Sequence, residues 1–261
     1  MKSLHTLALL LAVSLLSGCG TVYSVVQSGK LLAPESFGFE LAAPELYIET
    51  GADEETKDRL LKAMVQAKNA IHTAYGDVQA RPVVHACMTE KCYATFGGQG
   101  SVAKVYGKRI LLSPRGLTWH FIAHEWSHAE MSHRLNFFAW KRMPQWFDEG
   151  VAVAISEAPE HSESHWQYLV SANIPRPTPE ELQSFQSLNQ WIQAVHSYGE
   201  SKNEERKAQG IQPIRPVYAA AGHEVRPWLA DTGSTGLQAF IWHLNDGEDF
   251  TSAYRRARTS R

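Results

Sequence analysis

Two histidines separated by three residues, with a glutamate directly after the first, stand in the stretch AHEWSHAE, residues 123–130. On a helix each residue turns by about 100°, so His124 and His128 lie one turn apart on the same face. Two imidazoles in this arrangement can bind one zinc ion, with Zn–N distances of about 2.0–2.1 Å. The carboxylate of Glu125 can then take a proton from metal-bound water and return it to a leaving amine. The spacing indicates zinc-dependent hydrolysis; the alternative is a helix whose histidines bond to their neighbours.

A catalytic zinc site needs a third protein ligand besides the two histidines. His133 lies nine residues after His124, which places it on the opposite side of the helix. Met131 and Arg134 stand where metzincins have a glycine and a histidine, so that subclass is excluded. The third ligand therefore has to come from outside this helix.

A second motif follows in residues 143–156, MPQWFDEGVAVAIS, where a proline suits the first turn of a helix. HEWSH, which has the HExxH form, and the downstream W-F-D-E-G-x-A together resemble the gluzincin peptidases, whose second helix carries a W-x-x-E-G-x-A pattern. The resemblance covers about residues 100–258 and implies that Glu149 is the third zinc ligand. Asp148 is the alternative, either as a ligand or as a partner that orients a histidine. If neither has a function, both are acidic residues of a solvated first turn.

A third segment, residues 216–229, contains a tyrosine and a histidine in PVYAAAGHEVRPWL. It is similar to a segment of aminopeptidase-type gluzincins, whose tyrosine stabilises the oxyanion of the tetrahedral intermediate. The resemblance implies this role for Tyr218, with His223 as the competing donor. Three alanines precede Gly222, which departs from the family's spacing, and a buried core aromatic is the equal alternative for Tyr218.

The expected substrate is a peptide or protein, and endopeptidase cleavage is at least as well supported as exopeptidase cleavage. The G-x-M-E-N type motif with which aminopeptidases recognise a free amino terminus is not found in this sequence, and the GGQGS loop at residues 97–101 does not replace it. By resemblance to zincins, the strand KRILLSP, residues 108–114, is expected to be the sheet edge that pairs with an extended substrate.

The first twenty residues, MKSLHTLALLLAVSLLSGCG, combine a basic start with an apolar run too short to span a bilayer. Their end resembles a bacterial lipobox, which implies cleavage after residue 18, lipidation of Cys19 and a membrane anchor. Gly20 rather than Asp follows the cysteine, and by resemblance to enterobacterial lipoproteins this suggests the outer membrane, facing the periplasm. The alternative is a plain secretory signal or a buried helix.

The net charge bears on the kind of partner, and the cysteine content bears on the redox compartment. The formal net charge of −2 gives no reason to expect nucleic acid as a partner. Because an exported chain meets an oxidising compartment, Cys87 and Cys92 are expected to close a small disulfide loop. Two free thiols are the alternative, and metal binding by this pair is less expected.

Periodicity predicts an α+β chain. The first predicted elements are a helix over 53–76, a strand over 81–89, two strands within 102–114 that turn at Gly107, and a helix from 117 to about 136. A second helix begins near Pro144, a surface loop with short helical pieces covers 157–181, and the pattern over 181–199 is compatible with another helix. A flexible loop is predicted over 200–216, followed by helices over 217–231, 234–245 and 248 to about 258. With the resemblance, this order implies a zincin-like fold, with a small N-terminal mixed sheet and an active-site helix followed by a mainly helical part. The predicted division is a signal peptide over 1–18, a lipidated tether over 19–45 and a peptidase domain over 46–261.

The sequence therefore predicts zinc-dependent peptide-bond hydrolysis in the bacterial cell envelope, with one Zn²⁺ per chain and Glu125 activating water. Two alternatives stay open: a non-catalytic zinc-binding lipoprotein that acts as a binding or structural module, and a cell-wall amidase that uses the same metal.

Overall fold

A computed structural model describes residues 27–98 and 100–258. The strands are β1 (Phe39–Ala43), β2 (Leu46–Glu49), β3 (Val83–Ala86), β4 (Ala103–Tyr106) and β5 (Arg109–Leu112). The α-helices are α1 (Glu54–Tyr75), α2 (Glu90–Thr95), α3 (Trp119–Arg134), α4 (Phe137–Arg142), α5 (Gln145–Ser156), α6 (Glu163–Ser171), α7 (Pro179–Gln183), α8 (Leu188–Ser197), α9 (Asn203–Ala208), α10 (Pro216–Asn245) and α11 (Phe250–Ala257). Short 3₁₀ helices cover Gly29–Leu32, Pro34–Phe37, Pro114–Gly116, Pro159–His161 and Glu200–Lys202. The predicted α+β class is confirmed.

The five strands form one mixed sheet in the order β1-β2-β3-β5-β4. β2, β3 and β5 run parallel, while β1 and β4 pair antiparallel at the two edges. β4 and β5 form the predicted hairpin, and Gly107 takes the positive φ of 60° that the tight turn requires. The expectation that KRILLSP is the sheet edge is wrong, because β5 lies inside the sheet between β3 and β4. β4 is the edge strand on this side of the sheet, and β1 is the edge strand on the other.

Helix α1 has the boundaries that its sequence signals predict. Asp53 caps its first turn by accepting a hydrogen bond from the Thr56 backbone N at 2.7 Å. Gly76 ends it in the left-handed conformation at φ 81°. Its buried face, which includes Leu60 and Ile71, packs against α3.

Helix α5 is packed tightly against α10, and glycines make this approach possible. A Cβ atom on Gly150 would lie 2.5 Å from Val225 Cγ2 and 2.8 Å from the Ala221 carbonyl oxygen. A Cβ on Gly222 would lie 2.5 Å from Val153 Cγ1. From the sequence, Gly150, Ala152 and Ala154 are expected to let the two motif helices, α3 and α5, approach closely. In the structure the close contacts of Gly150 are with Val225 and Ala221 of α10.

The C-terminal helices bury an aromatic core. Phe147 of α5 contacts four aromatic rings of α10 and α11, namely those of Trp228, Phe240, Phe250 and Tyr254. α10 changes direction at Gly233, whose φ of 61° and ψ of −169° are not helical. This is the break predicted between residues 231 and 234, so the two predicted helices form one kinked element.

The predicted tether over residues 19–45 is too long. Residues 29–43 form two 3₁₀ helices and β1, and the side chains of Leu31 and Phe39 are buried against Tyr93 and Phe96. These apolar residues fit no regular period, so the sequence pattern hides their burial. The predicted signal peptide and Cys19 lie outside the described residues. Among the helices of residues 27–98 and 100–258, none is long and apolar enough to cross a membrane.

The prediction of a flexible loop over residues 200–216 is only partly right, because residues 200–208 form a 3₁₀ helix and α9. Two of its polar side chains are buried and hydrogen-bonded: Glu200 Oε1 accepts a bond from the Val217 backbone N at 2.7 Å, at the start of α10. Asn203 exchanges two hydrogen bonds with the Ile214 backbone, at 2.7 and 2.8 Å. A polar side chain can be buried when it bonds to a backbone group at a helix end that has no partner within the helix. A polar sequence therefore does not always indicate an exposed segment.

Replacing Gly150 by Ala tests the close approach of α5 and α10. Alanine favours a helix over glycine by about 1 kcal/mol, but the new methyl group meets the Ala221 carbonyl. We expect a net loss of about 1–3 kcal/mol in the free energy of unfolding, measured by chemical denaturation. Gly29→Ala is the control, because its Cβ meets nothing within 4 Å. A Gly150→Ala variant as stable as the wild type would contradict this packing.

Candidate metal centre

Three side chains of α3 and α5 converge on one point. His124 Nε2 and His128 Nε2 lie 3.3 Å apart, and Glu149 Oε2 lies 3.4 Å from the first and 3.7 Å from the second. A tetrahedral zinc ion with bonds of about 2.0–2.1 Å requires ligand atoms about 3.3–3.4 Å apart. Two imidazole nitrogens and one carboxylate oxygen are also the donor set of a catalytic zinc site with an open position. The observed separations therefore fit the three ligands implied by the sequence resemblance.

The nitrogen and oxygen atoms of the triad are buried and have few hydrogen-bond partners. His124 and Glu149 are only 8% and 6% exposed. Within the described residues, Glu149 Oε2 makes no hydrogen bond, and the two Nε2 atoms are its neighbours. Because a buried carboxylate oxygen without a partner is costly, these residues are suited to hold a positive ion.

The electrostatics of the triad also favour a carboxylate that stays ionised. Burial by itself raises the pKa of Glu149, but the charges of His128 and His124 outweigh it and hold that pKa well below its usual range. Burial likewise lowers the pKa of His128, but the carboxylates of Asp148 and Glu149 raise it well above its usual value. In this cluster the carboxylates of Asp148 and Glu149 therefore face the imidazole rings of the two histidines.

Asp148 takes the second of the two roles left open by the sequence. Its Oδ2 lies 2.9 Å from His128 Nδ1, the nitrogen on the far side of the ring from the triad. A carboxylate in this position fixes the orientation and tautomer of a ligating histidine. Gln145 supports the third ligand similarly, since its Nε2 donates to Glu149 Oε1 at 3.0 Å.

Glu125 lies in a cleft of 100 Å³ beside the triad. The walls of this cleft, which we call the Glu125 cleft, include Ser101, Ala103, His124, His161, Arg215 and Tyr218. Burial raises the pKa of Glu125, and the neighbouring His124 and His128 charges oppose this rise. A buried carboxyl group with a raised pKa is suited to accept and return a proton.

Tyr218 reaches the Glu125 cleft from the first turn of α10. Its ring centroid lies 6.2 Å from that of His124 and 5.1 Å from that of Trp191. Burial and the charge of Glu149 raise its pKa, which keeps the phenol protonated as a donor. The geometry thus allows the role that the sequence resemblance implies.

His161 is a site residue that the sequence reading misses. Its ring stacks on Tyr218 at 4.9 Å and lies 6.2 Å from the ring of His124. It is 5% exposed, and its Nδ1 has no hydrogen-bond partner among the described residues. Burial and then the charge of Arg215 hold its pKa well below its usual value, so the ring is neutral. It lies in a 3₁₀ helix in a stretch without periodicity, where no sequence signal marks it.

His223, the competing oxyanion donor, is not brought to the Glu125 cleft. Its ring stacks on Trp166 at 4.4 Å, and its Nδ1 lies 3.0 Å from a carboxylate oxygen of Glu163. His223 is five residues after Tyr218, which turns it to another face of α10. The assignment of His223 to the oxyanion role is therefore corrected.

Cys87 and Cys92 form a disulfide bond, as the sequence predicts. Both lie near the carboxylate of Glu49, which accepts hydrogen bonds from the backbone N atoms of Met88 and Thr89 at 2.6 and 2.8 Å. The oxidised pair is therefore a structural clamp and not a metal site. It holds α2, from which the Tyr93 hydroxyl bonds to Ser101 Oγ at 2.6 Å on the rim of the Glu125 cleft.

Comparison of the chain with models of protein families, with curated proteins and with solved structures finds no match in any of the three.

Replacing Asp148 by Asn tests the support of His128. The amide keeps the size of the side chain but removes the charge that orients and polarises the imidazole, so we expect zinc affinity to fall about 10–100-fold. Competition with a fluorescent chelator measures this affinity. Glu204→Gln, an exposed carboxylate on α9, serves as the control and should bind zinc like the wild type. Equal affinity in all three proteins would show that Asp148 does not support the site.

Proposed function

We propose that this chain is a zinc-dependent endopeptidase of the gluzincin type, with a zincin-like arrangement of sheet and active-site helix. The observation that carries the proposal is the convergence of His124, His128 and Glu149 at 3.3–3.7 Å, with Glu125 buried beside them. Helical spacing alone explains the two histidines. It does not explain a carboxylate from another helix at tetrahedral distance.

In this proposal His124, His128 and Glu149 hold the zinc ion, and Asp148 fixes the ring of His128. A bound zinc ion supplies the Lewis acidity that makes water nucleophilic near neutral pH and polarises a carbonyl group. Glu125 accepts the proton of the attacking water and later delivers it to the amine of the leaving peptide. Its burial keeps bulk water away from the carboxylate and raises its pKa, which makes it a stronger base.

Tyr218 and His161 are placed to stabilise the negative charge that develops on the substrate carbonyl oxygen. Both residues line the Glu125 cleft, and their rings are stacked at 4.9 Å with an interplanar angle of 13°. The Tyr218 hydroxyl donates a hydrogen bond, and His161 can donate from a neutral ring. Donors that are already oriented lower the barrier because they need no reorganisation during the reaction.

An edge strand borders the Glu125 cleft, which supports a peptide as the proposed substrate. β4 is the last strand of the sheet, and its first residue, Ala103, lines the cleft with Glu125. Backbone groups of an edge strand bind an extended peptide without reading its side chains. This feature favours a peptide over the glycan-linked amide that a cell-wall amidase would cleave.

The proposed location is the bacterial cell envelope, with the chain anchored through lipid at Cys19 in the outer membrane and facing the periplasm. Within the described residues, the disulfide between Cys87 and Cys92 supports an oxidising compartment. The proposed partners are a peptide or protein substrate and the membrane, with no role for nucleic acid.

Replacing Glu125 by Gln separates catalysis from metal binding. The amide cannot accept the proton, so we expect kcat to fall at least about 10²–10⁴-fold while the zinc content stays unchanged. Digestion of a denatured protein, read by mass spectrometry, and metal analysis are the two measurements. A variant that still cleaves would end this mechanism. Zinc in the wild type without cleavage of any peptide would favour the non-catalytic module.

Replacing Tyr218 by Phe tests the oxyanion role. Loss of one aimed donor should lower kcat about 10²–10³-fold with little change in KM. His223→Ala is the matched control on the same helix, and we expect it to leave kcat unchanged because His223 lies outside the cleft. Steady-state kinetics on a fluorogenic peptide gives both constants. The reverse pattern, with His223→Ala impaired and Tyr218→Phe intact, would contradict the assignment.

A further inference from the structure

A second cleft, of 350 Å³, opens on the His128 side of the triad. Its apolar walls are formed by Met131 of α3, Trp140 of α4, Leu188 of α8, and Met143, which lies between α4 and α5. The volume falls in the range of about 300–1,000 Å³ that is typical of small-ligand sites. We call it the Trp140 cleft.

The Trp140 cleft is continuous with the surroundings of the metal ligands. His128 and its partner Asp148 form part of its wall, and so does Gln145, which bonds to Glu149. The Glu125 cleft, in contrast, contains His124. Each cleft is therefore lined by one of the two histidines of the triad.

The chemistry of the Trp140 cleft suits an apolar group. Trp140 and Leu188 are 55% and 56% exposed, which is high for side chains of this size. The charged groups in the wall are already engaged, since Asp148 bonds to His128 and the Lys141 ammonium lies 4.7 Å from the centroid of the Phe137 ring. A bulky apolar side chain would cover Trp140 and Leu188 and gain about 25 cal/mol for each Å² removed from water.

We propose that the Trp140 cleft is a specificity subsite that binds a bulky apolar side chain, such as that of phenylalanine, leucine or methionine, close to the cleaved bond of the substrate. This inference rests on the proposed peptidase function and names its substrate class. In this proposal β4 binds the backbone of the substrate without sequence preference, and the Trp140 cleft supplies the selectivity for its side chain.

The test is the cleavage profile of the zinc-loaded full chain on a peptide library, read by mass spectrometry. We expect the wild type to cleave next to bulky apolar residues. Trp140→Ala should lower kcat/KM for such peptides by about 10–200-fold relative to peptides with alanine at that position. Trp140→Phe should keep most of the preference, because it keeps an aromatic wall. Phe138→Ala, a change of another exposed aromatic on α4 that does not line the cleft, should leave the profile unchanged.

The outcomes separate the two proposals. If all variants cleave and Trp140→Ala has the wild-type profile, or if the wild type prefers basic or small residues, the subsite is refuted and the peptidase function stands. If no protein in the set cleaves any peptide although zinc is bound, the peptidase function fails, and the subsite fails with it.

Discussion

The burial of an ionised carboxylate between two imidazoles is the constraint on which this structure depends. In α5, the Oε2 atom of Glu149 faces the Nε2 atoms of His124 and His128 at 3.4 and 3.7 Å, and it makes no hydrogen bond to any other group of the described residues. Such an arrangement costs free energy in an apolar interior unless a cation compensates the charge. This cost is the reason that we propose a bound cation at the triad.

The remainder of the fold keeps the two helices in place around this charge. α3 is tied to the chain after α1 by the buried Glu130, whose carboxylate accepts hydrogen bonds from the Gln79 and Ala80 backbone at 2.8 Å each. The indole of Trp126 bonds to the Ala80 carbonyl oxygen at 3.1 Å. α5 is held from the other side by α10, through the glycine contacts and the aromatic core around Phe147. Rigid helices, rather than loops, therefore carry the candidate ligands.

The same packing brings the other reactive groups to the site. α10 carries Tyr218 in its first turn, and the buried Glu200 satisfies the Val217 backbone N next to it. The disulfide-clamped segment after β3 sets the rim of the Glu125 cleft. α4, between α3 and α5, adds Trp140 on the opposite side of the triad.

Local sequence signals predict what depends on local geometry. The spacing of His124 and His128 follows from the helical period, and Asp53 and Gly76 mark the ends of α1 by capping chemistry. Glu149 can be predicted as a ligand only from the family resemblance, because it lies on another helix and the helical period of α3 does not extend to it. His161, the edge position of β4 and the Trp140 cleft arise from contacts between distant segments, so one sequence cannot reveal them. Glu200 misleads because a polar side chain that caps a buried helix end has the composition of a loop.

The proposed metal centre is tested most directly by the zinc content of the purified protein, wild type beside Glu149→Ala. We expect one zinc per chain in the wild type and a sharply lower affinity in the variant, with the fold of both verified by circular dichroism. No zinc in the wild type, or equal zinc affinity in both proteins, would contradict a three-ligand metal centre formed by α3 and α5.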